Sequence, residues 1–223
     1  MDKKLLIQAI GKYLSGVLLA AALLFFPAGT LNYWNAWLLI GILFIPMFII
    51  GAVLMFKNPE LLRKRLNSKE KETEQKNVIL FGSLIFLCGF IVSGLDYRYQ
   101  WLVLPKWLVI PATVLFLFAY LLYAEVLREN TYLSRTIEIQ ENQRVIDTGL
   151  YGVVRHPMYT SSILLFLSMP LVLGSLFSFV IFLIYPVIMV KRIKNEEQIL
   201  EKDLAGYLEY KKRVRYRVIP FIW

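Results

Sequence analysis

One cysteine and one histidine are all the chain holds of the two soft metal-ligating residue types. Cys88, inside FGSLIFLCGF, can form neither an internal disulfide nor a cysteine metal site. It reads as a small buried or lipid-facing apolar group. With no Cys/His cluster in the sequence, no metal site is expected. Charge is also scarce. Only 18% of the residues are charged, against about a quarter in a soluble domain. Acids are the rarer sign, 16 against 25 basic residues, for a net charge of +9. In a soluble protein that excess would point to nucleic acid. Here the basic residues fall between oily blocks, which fits cytoplasmic loops facing anionic lipid head groups, and no nucleic-acid partner is expected.

What the chain has in quantity is apolar surface. Hydrophobic residues make up 58%, the mean hydropathy is +0.58, and they come in long blocks. About 20 apolar residues cross a bilayer as a helix. Blocks at 5–26, 34–56, 78–95 and 107–127 meet or approach that length. The prediction is an all-α, polytopic integral membrane protein. Residues 1–127 form four full spans; residues 128–223 form a linker, a C-terminal helical hairpin and a cytoplasmic tail helix. A basic start before an oily run also resembles a signal peptide, but further spans follow at once, so the first block reads as an uncleaved helix. Tyr33, Trp34 and Trp37 suggest an interfacial aromatic belt.

Residues 57–77, KNPELLRKRLNSKEKETEQKN, carry Lys57, Arg63, Lys64, Arg65, Lys69, Lys71 and Lys76 and are placed in the cytoplasm. Asn58 and Pro59 suit a helix start. Leu61, Leu62 and Leu66 could form the apolar stripe of a short helix on the membrane surface. Residues 96–106 have two basic residues and are placed outside; from Arg128 on the chain is inside again. TIEIQ, 136–140, alternates like a short strand, and Asp147-Thr148-Gly149 signal a turn. Residues 157–190 are apolar, interrupted at Gly174-Ser175. Each half is about 15 residues, roughly 22 Å of helix and short for a span. Because the tail after Lys191 is basic, the halves read as a tight hairpin entering and leaving on one side, kinked at Pro170 and Pro186. The tail reads as a helix to Lys212, with Ile193, Ile199, Leu200, Leu204, Tyr207 and Leu208 on its apolar side, then a basic strip and an apolar anchor.

Two groups of residues could carry chemistry. In GLYGVVRHPMY, 149–159, Pro157 suits a first helical position, which makes His156 a cap residue. A helix start there attracts an anion, Arg155 adds a planar fork, and Tyr159 a hydroxyl. A basic membrane boundary with a tyrosine belt would have the same composition. Glu196-Glu197 lie past the hairpin exit. Neighbouring helical residues point about 100° apart, so one can face a site while the other pairs locally. Arg192 precedes Glu196 by four, and Lys194 precedes Glu197 by three. The hairpin brings the two groups together, a cationic rim against carboxylates, which suits a ligand bearing both charges.

TGLYGVVRHPMY, the apolar hairpin, and NEEQILEKDLAGYLEYKKRVRYRVIPFIW resemble the isoprenylcysteine carboxyl methyltransferase family and its bacterial relatives over about residues 125–223. NTYLSRTIEIQENQRVIDTG is similar to the family's linker. The resemblance implies an S-adenosylmethionine-dependent integral membrane enzyme taking a lipophilic or prenylated acceptor from the bilayer; the basic-residue asymmetry places both termini in the cytoplasm, and the plasma or inner membrane is the expected location. The resemblance also implies a cofactor pocket of Gly149, Leu150, Tyr151, His156, Pro157, Tyr159, Glu196 and Glu197. Arg155 would orient substrate or cofactor, Glu196 would join it in catalysis, and Tyr207, Tyr210 and Arg213 would bind substrate. A carboxylate acceptor needs no general base, which suits a histidine with no evident carboxylate partner in the sequence. An amine would need one, with Glu196, Glu197 and His156 as the obvious bases. Three alternatives stand: phospholipid N-methylation; an NADPH-dependent sterol-reductase-like enzyme, its phosphate on Arg213, Arg215 and Arg217; and a non-enzymatic scaffold.

Overall fold

The computed structural model describes residues 3–67, 73–134 and 139–223, and it is built of helices. These are α1 (Lys3–Ala28), α2 (Trp34–Lys57), α3 (Pro59–Leu66), α4 (Thr73–Tyr99), α5 (Lys106–Glu129), a 3-10 turn (Gly149–Gly152), α6 (Pro157–Leu173), α7 (Leu176–Phe182), α8 (Ile184–Asp203) and α9 (Tyr207–Arg213). Among the described residues there is no strand, only one isolated bridge, Val103 with Ser175. The alternating segment at 136–140 lies mostly outside the described residues. Among the described residues, five helical stretches are long and apolar enough to cross a membrane: α1, α2, Lys76–Tyr99, α5, and Leu176–Asp203, which joins α7 and α8. Large apolar side chains stand exposed along them, such as Ile7, Leu18, Phe26, Ile45, Phe48 and Leu121. A soluble protein would hide such surface, and a bilayer solvates it. The chain is a polytopic membrane protein.

The helices meet through narrow contacts. On α5, Val109, Ala112, Phe116, Ala119 and Tyr120 recur at helical spacing and are buried; this stripe packs along α6. A β-carbon at Gly89 would sit 2.3 Å from the Phe182 ring, and one at Gly94 would sit 2.6 Å from the Leu24 carbonyl oxygen. Those two glycines let α4 approach α7 and α1 closely.

The hairpin differs from the sequence reading in length. Its turn at Gly174, with φ +77, reaches the far end of the bundle. There Leu104 N donates to Gly174 O at 2.8 Å, Tyr33 Oη to Leu173 O at 2.7 Å, and Asn35 Nδ2 to Val172 O at 2.8 Å. Buried Asp96 accepts Ser175 Oγ at 2.5 Å and Leu102 N at 2.9 Å. Both arms therefore run the depth of the bundle, and they do enter and leave at one end. Tyr33 belongs to this junction, stacked on Tyr97 and 1% exposed, so it is not part of an aromatic belt; Trp34 and Trp37 remain exposed. Pro186 marks the α7–α8 break, because it has no N–H for the carbonyl four residues back, at Phe182. Pro170 stays inside α6.

Two other expectations change. The tail is not one helix from 192 to 212. The hairpin's second arm runs on to Asp203, Gly206 at φ +83 breaks it, and α9 follows. Leu204 and Tyr207 are buried and Leu208 is half-exposed. Helix α3 starts as expected, with Asn58 Oδ1 accepting Leu61 N at 3.0 Å. Leu61 and Leu62 are buried by protein, not lipid, and Leu66 is half-buried: Leu62 packs with Leu5 and Met55 at the ends of α1 and α2.

Candidate functional site

The site lies at the end of the bundle where α5, α6 and α8 emerge. The chain enters α6 through Arg155-His156-Pro157. Backbone bonds tie this entry to the last segment: Arg155 N donates to Tyr216 O at 2.9 Å, and His156 N to Arg217 O at 2.8 Å. Thr160 Oγ1 donates to Val218 O at 2.8 Å. The basic strip thus lies across the motif instead of hanging free.

The adjacent glutamates do separate. Glu197 is buried and is the centre of an ionic node. Its Oε1 accepts Arg155 Nε at 2.8 Å and Nη2 at 2.7 Å, and lies 3.3 Å from His156 Nε2. Its Oε2 accepts Arg217 Nε at 2.9 Å. Arg155 Nη1 donates to the Val214 and Arg215 carbonyls, each at 2.7 Å. A buried carboxylate with two guanidinium groups around it is compensated, and removing any partner would strand a charge. Glu196 points elsewhere. Its Oε2 accepts the Tyr159 hydroxyl at 2.5 Å, and Tyr159 Oη accepts Arg192 Nε at 2.9 Å.

Glu196 and Tyr159 stand on the wall shared by two lobes of one open cavity. The first lobe, about 580 Å³, is lined by Tyr151, Arg155, His156, Tyr159, Glu196, Tyr207, Tyr210, Asn130, Arg144, Met158 and Leu200, among others. The second, about 560 Å³, adds Tyr132, Ser134, Ile139, Arg192 and Ile199 to residues of the shared wall. Tyr210 Oη donates to Tyr151 O at 2.7 Å, and Asn130 Nδ2 donates to Tyr151 Oη at 2.9 Å. Tyr207 Oη is buried without a hydrogen-bond partner. Burial pushes the hydroxyls of Tyr151, Tyr207 and Tyr210 above the ordinary phenol range, so they remain protonated.

Gly149 and Leu150 shape the floor from behind. Leu150 N donates to Glu129 Oε2 at 3.1 Å. Gly149 has φ +49, and a β-carbon there would lie 1.6 Å from Glu129 Oε1. The structure thus brings Tyr151, His156, Tyr159, Glu196, Tyr207 and Tyr210 to one cavity. It places Glu197 and Pro157 beneath the wall. Arg213, with its side chain 66% exposed, pairs with Asp147 at 2.7 Å and does not line the cavity. Arg155 lines the cavity and also clasps Glu197 and the Val214 and Arg215 carbonyls, which account for four of its five N–H donors. His156 occupies the cap position without a side-chain cap bond; its ring turns to Glu197, the carboxylate partner that the local sequence did not reveal. Nothing in the sequence marked Glu129 or Asn130, and Arg217 stood out only as a holder of phosphate, not as a partner of Glu197. Arg192 was marked by its spacing of four before Glu196, and the structure joins the two through Tyr159.

Residues 107–205 match the family model for phospholipid methyltransferases. The matched stretch holds α5, the RHPMY motif, the hairpin and both glutamates, and it supports a membrane methyltransferase. The chain is also 33% identical over 91 residues to the Delta(14)-sterol reductase TM7SF2 of Mus musculus, which covers 40% of this chain. It spans 22% of that relative's length.

Proposed function

We propose that this membrane protein transfers a methyl group from S-adenosylmethionine to a lipophilic acceptor reaching the cavity from the bilayer. The observation that carries the reading is Glu196, a carboxylate set in a tyrosine-lined cavity beside the buried, unpartnered Tyr207 hydroxyl. An amino-acid group with an adjacent sulfonium fits those residues. Glu196 would hold the cationic end, Arg144 would face the carboxylate, and Tyr207 would gain its missing partner. When bound, the cofactor supplies an electrophilic methyl group. The tyrosines, held protonated, would orient it and keep water out, and methyl transfer needs little else beyond alignment. The node at Glu197 would hold the motif and the last segment against α8, so that Glu196 and Tyr159 stay in place.

The second lobe suits the polar end of the acceptor. Carboxyl O-methylation of an isoprenylcysteine-like lipid fits the residues best. His156 is engaged with Glu197 rather than placed as a base, and Arg192, beside Tyr159, offers a carboxylate acceptor a cation. One observation favours phospholipid N-methylation instead, the family match over 107–205; Glu196 would then take the amine's proton. The reductase reading fits the wall poorly. Among the arginines that could hold phosphate, Arg213 pairs with Asp147, Arg217 is bound to Glu197, and neither these nor Arg215 lines the cavity. The reading places the termini in the cytoplasm, where the cofactor is made available.

Radiolabelled methyl transfer into a membrane extract tests this. Label in the lipid fraction that alkali releases as methanol is a methyl ester and supports the carboxyl acceptor. Alkali-stable label in phospholipid supports the amine. No label with either, and reduction of a sterol with NADPH, would overturn methyl transfer.

A further inference from the structure

On the N-terminal side of the matched stretch, helix α3 reaches the cavity wall. Helix α3 is fixed by its leucines to α1 and α2 and carries Lys64 and Arg65 toward the linker. Arg65 Nη1 donates to Ser134 O at 3.2 Å and comes 3.8 Å from Met158 Sδ. Its Nη2 donates to Tyr123 Oη, and the guanidinium stands 5.5 Å over the Tyr123 ring. Lys64 Nζ donates to Gln140 Oε1, whose amide donates in turn to Tyr132 O. Ser134 and Tyr132 line the second lobe, and Met158 lines both. The linker has no helix or strand among its described residues 130–134 and 139–148, so its own backbone does little to hold it.

From this geometry we infer that Arg65 is a positioning residue for the site: the N-terminal half of the chain, through α3, holds the linker wall and Met158 against the ligand space. The inference rests on the methyl-transfer reading only for the identity of the ligand. A guanidinium suits the task because it spans a carbonyl, a hydroxyl and a ring at once, which an ammonium cannot do. The reach of Arg65 into the linker also gives the 57–77 loop a role beyond its charge: part of the basic cluster acts as a strut within the protein.

Hydrogen exchange at amides 139–146 and calorimetric binding of S-adenosylhomocysteine would be compared in the full-length protein, wild type, Arg65→Ala, Arg65→Lys and Tyr123→Phe. Lys57→Ala, exposed at the end of α2, serves as control. Arg65→Ala should speed exchange in 139–146 but not in α8, and weaken binding about tenfold, as loss of a charge-assisted hydrogen bond does. Arg65→Lys should recover part of the affinity. Tyr123→Phe, which removes one acceptor, should fall between wild type and alanine. If Arg65→Ala does not fold, the lysine and phenylalanine variants carry the test with the same expected order. Unchanged exchange in the linker, a rise spread evenly over the chain, or unchanged affinity beside a deprotected linker overturns the inference. Absence of binding in the wild type instead defeats the methyl-transfer reading, and the exchange measurement still judges Arg65.

Discussion

Two adjacent glutamates do different work because a helix turns them about 100° apart. That much is legible in NEEQ. Which residue faces the cavity is not, because the deciding partners are Arg155, 42 residues earlier, and Arg217, 20 later. Long-range pairing of this kind has no periodicity to read. It makes a prediction opposite in kind for the two sites. Glu197→Gln should lower unfolding stability by about 3–5 kcal/mol, because it leaves buried guanidinium charge uncompensated; a denaturant titration reads this, and a change under 1 kcal/mol would contradict it. His156→Asn should keep part of the activity under the carboxyl-acceptor reading. Full cofactor affinity with no turnover would make the imidazole a base and favour an amine. The tyrosines add a sign-determined effect. In the folded protein Tyr207 and Tyr210 hold their protons above the ordinary phenol range, while the unfolded chain releases them near pH 10. Unfolding then releases protons, so stability is full below that pH and falls as pH rises beyond it. Tyr207→Phe should lessen the alkaline fall in thermal midpoint.

At the scale of elements, the first four spans follow from apolar run length, and their ends differ from the sequence reading by a few residues. The hairpin was harder. Lys191 ends the oily run, so hydropathy ends the span there, yet Lys, Glu, Gln, Ile and Leu are good or adequate helix formers and α8 runs on to Asp203. The same continuation carries Glu196 to the cavity. Gly206 was silent in a sequence scan for spans, though its φ of +83 is what turns α9 and brings Tyr207 and Tyr210 to the wall. Gly149 is the more exposed weakness. Gly149→Ala places an L side chain at φ +49, at about 1–2 kcal/mol, and also drives a β-carbon into Glu129. It should displace the Leu150 N–H from Glu129 and weaken S-adenosylhomocysteine binding, with the transmembrane helices intact by circular dichroism. Binding equal to wild type would show that the 3-10 turn does not shape the site.

For the whole molecule, the proposed function puts the end holding the cavity in the cytoplasm and the turn at Gly174 outside. Basic residues in 57–77 and after 191 motivated that orientation. In a Cys88→Ser background, a membrane-impermeant thiol reagent applied outside should label Gln100→Cys and not Ala205→Cys. Labelling at 205 would put the cavity on the wrong side for a cytoplasmic cofactor. The central claim is that this cavity takes the cofactor's cationic end on Glu196, and calorimetry on the purified protein tests it most directly. S-adenosylhomocysteine should bind the wild type, NADPH should not, and Glu196→Gln should weaken binding by about 1.5–3 kcal/mol, the worth of a charge-assisted hydrogen bond, with an unchanged thermal midpoint. Binding of NADPH without S-adenosylhomocysteine, or equal S-adenosylhomocysteine affinity in wild type and Glu196→Gln, would contradict it.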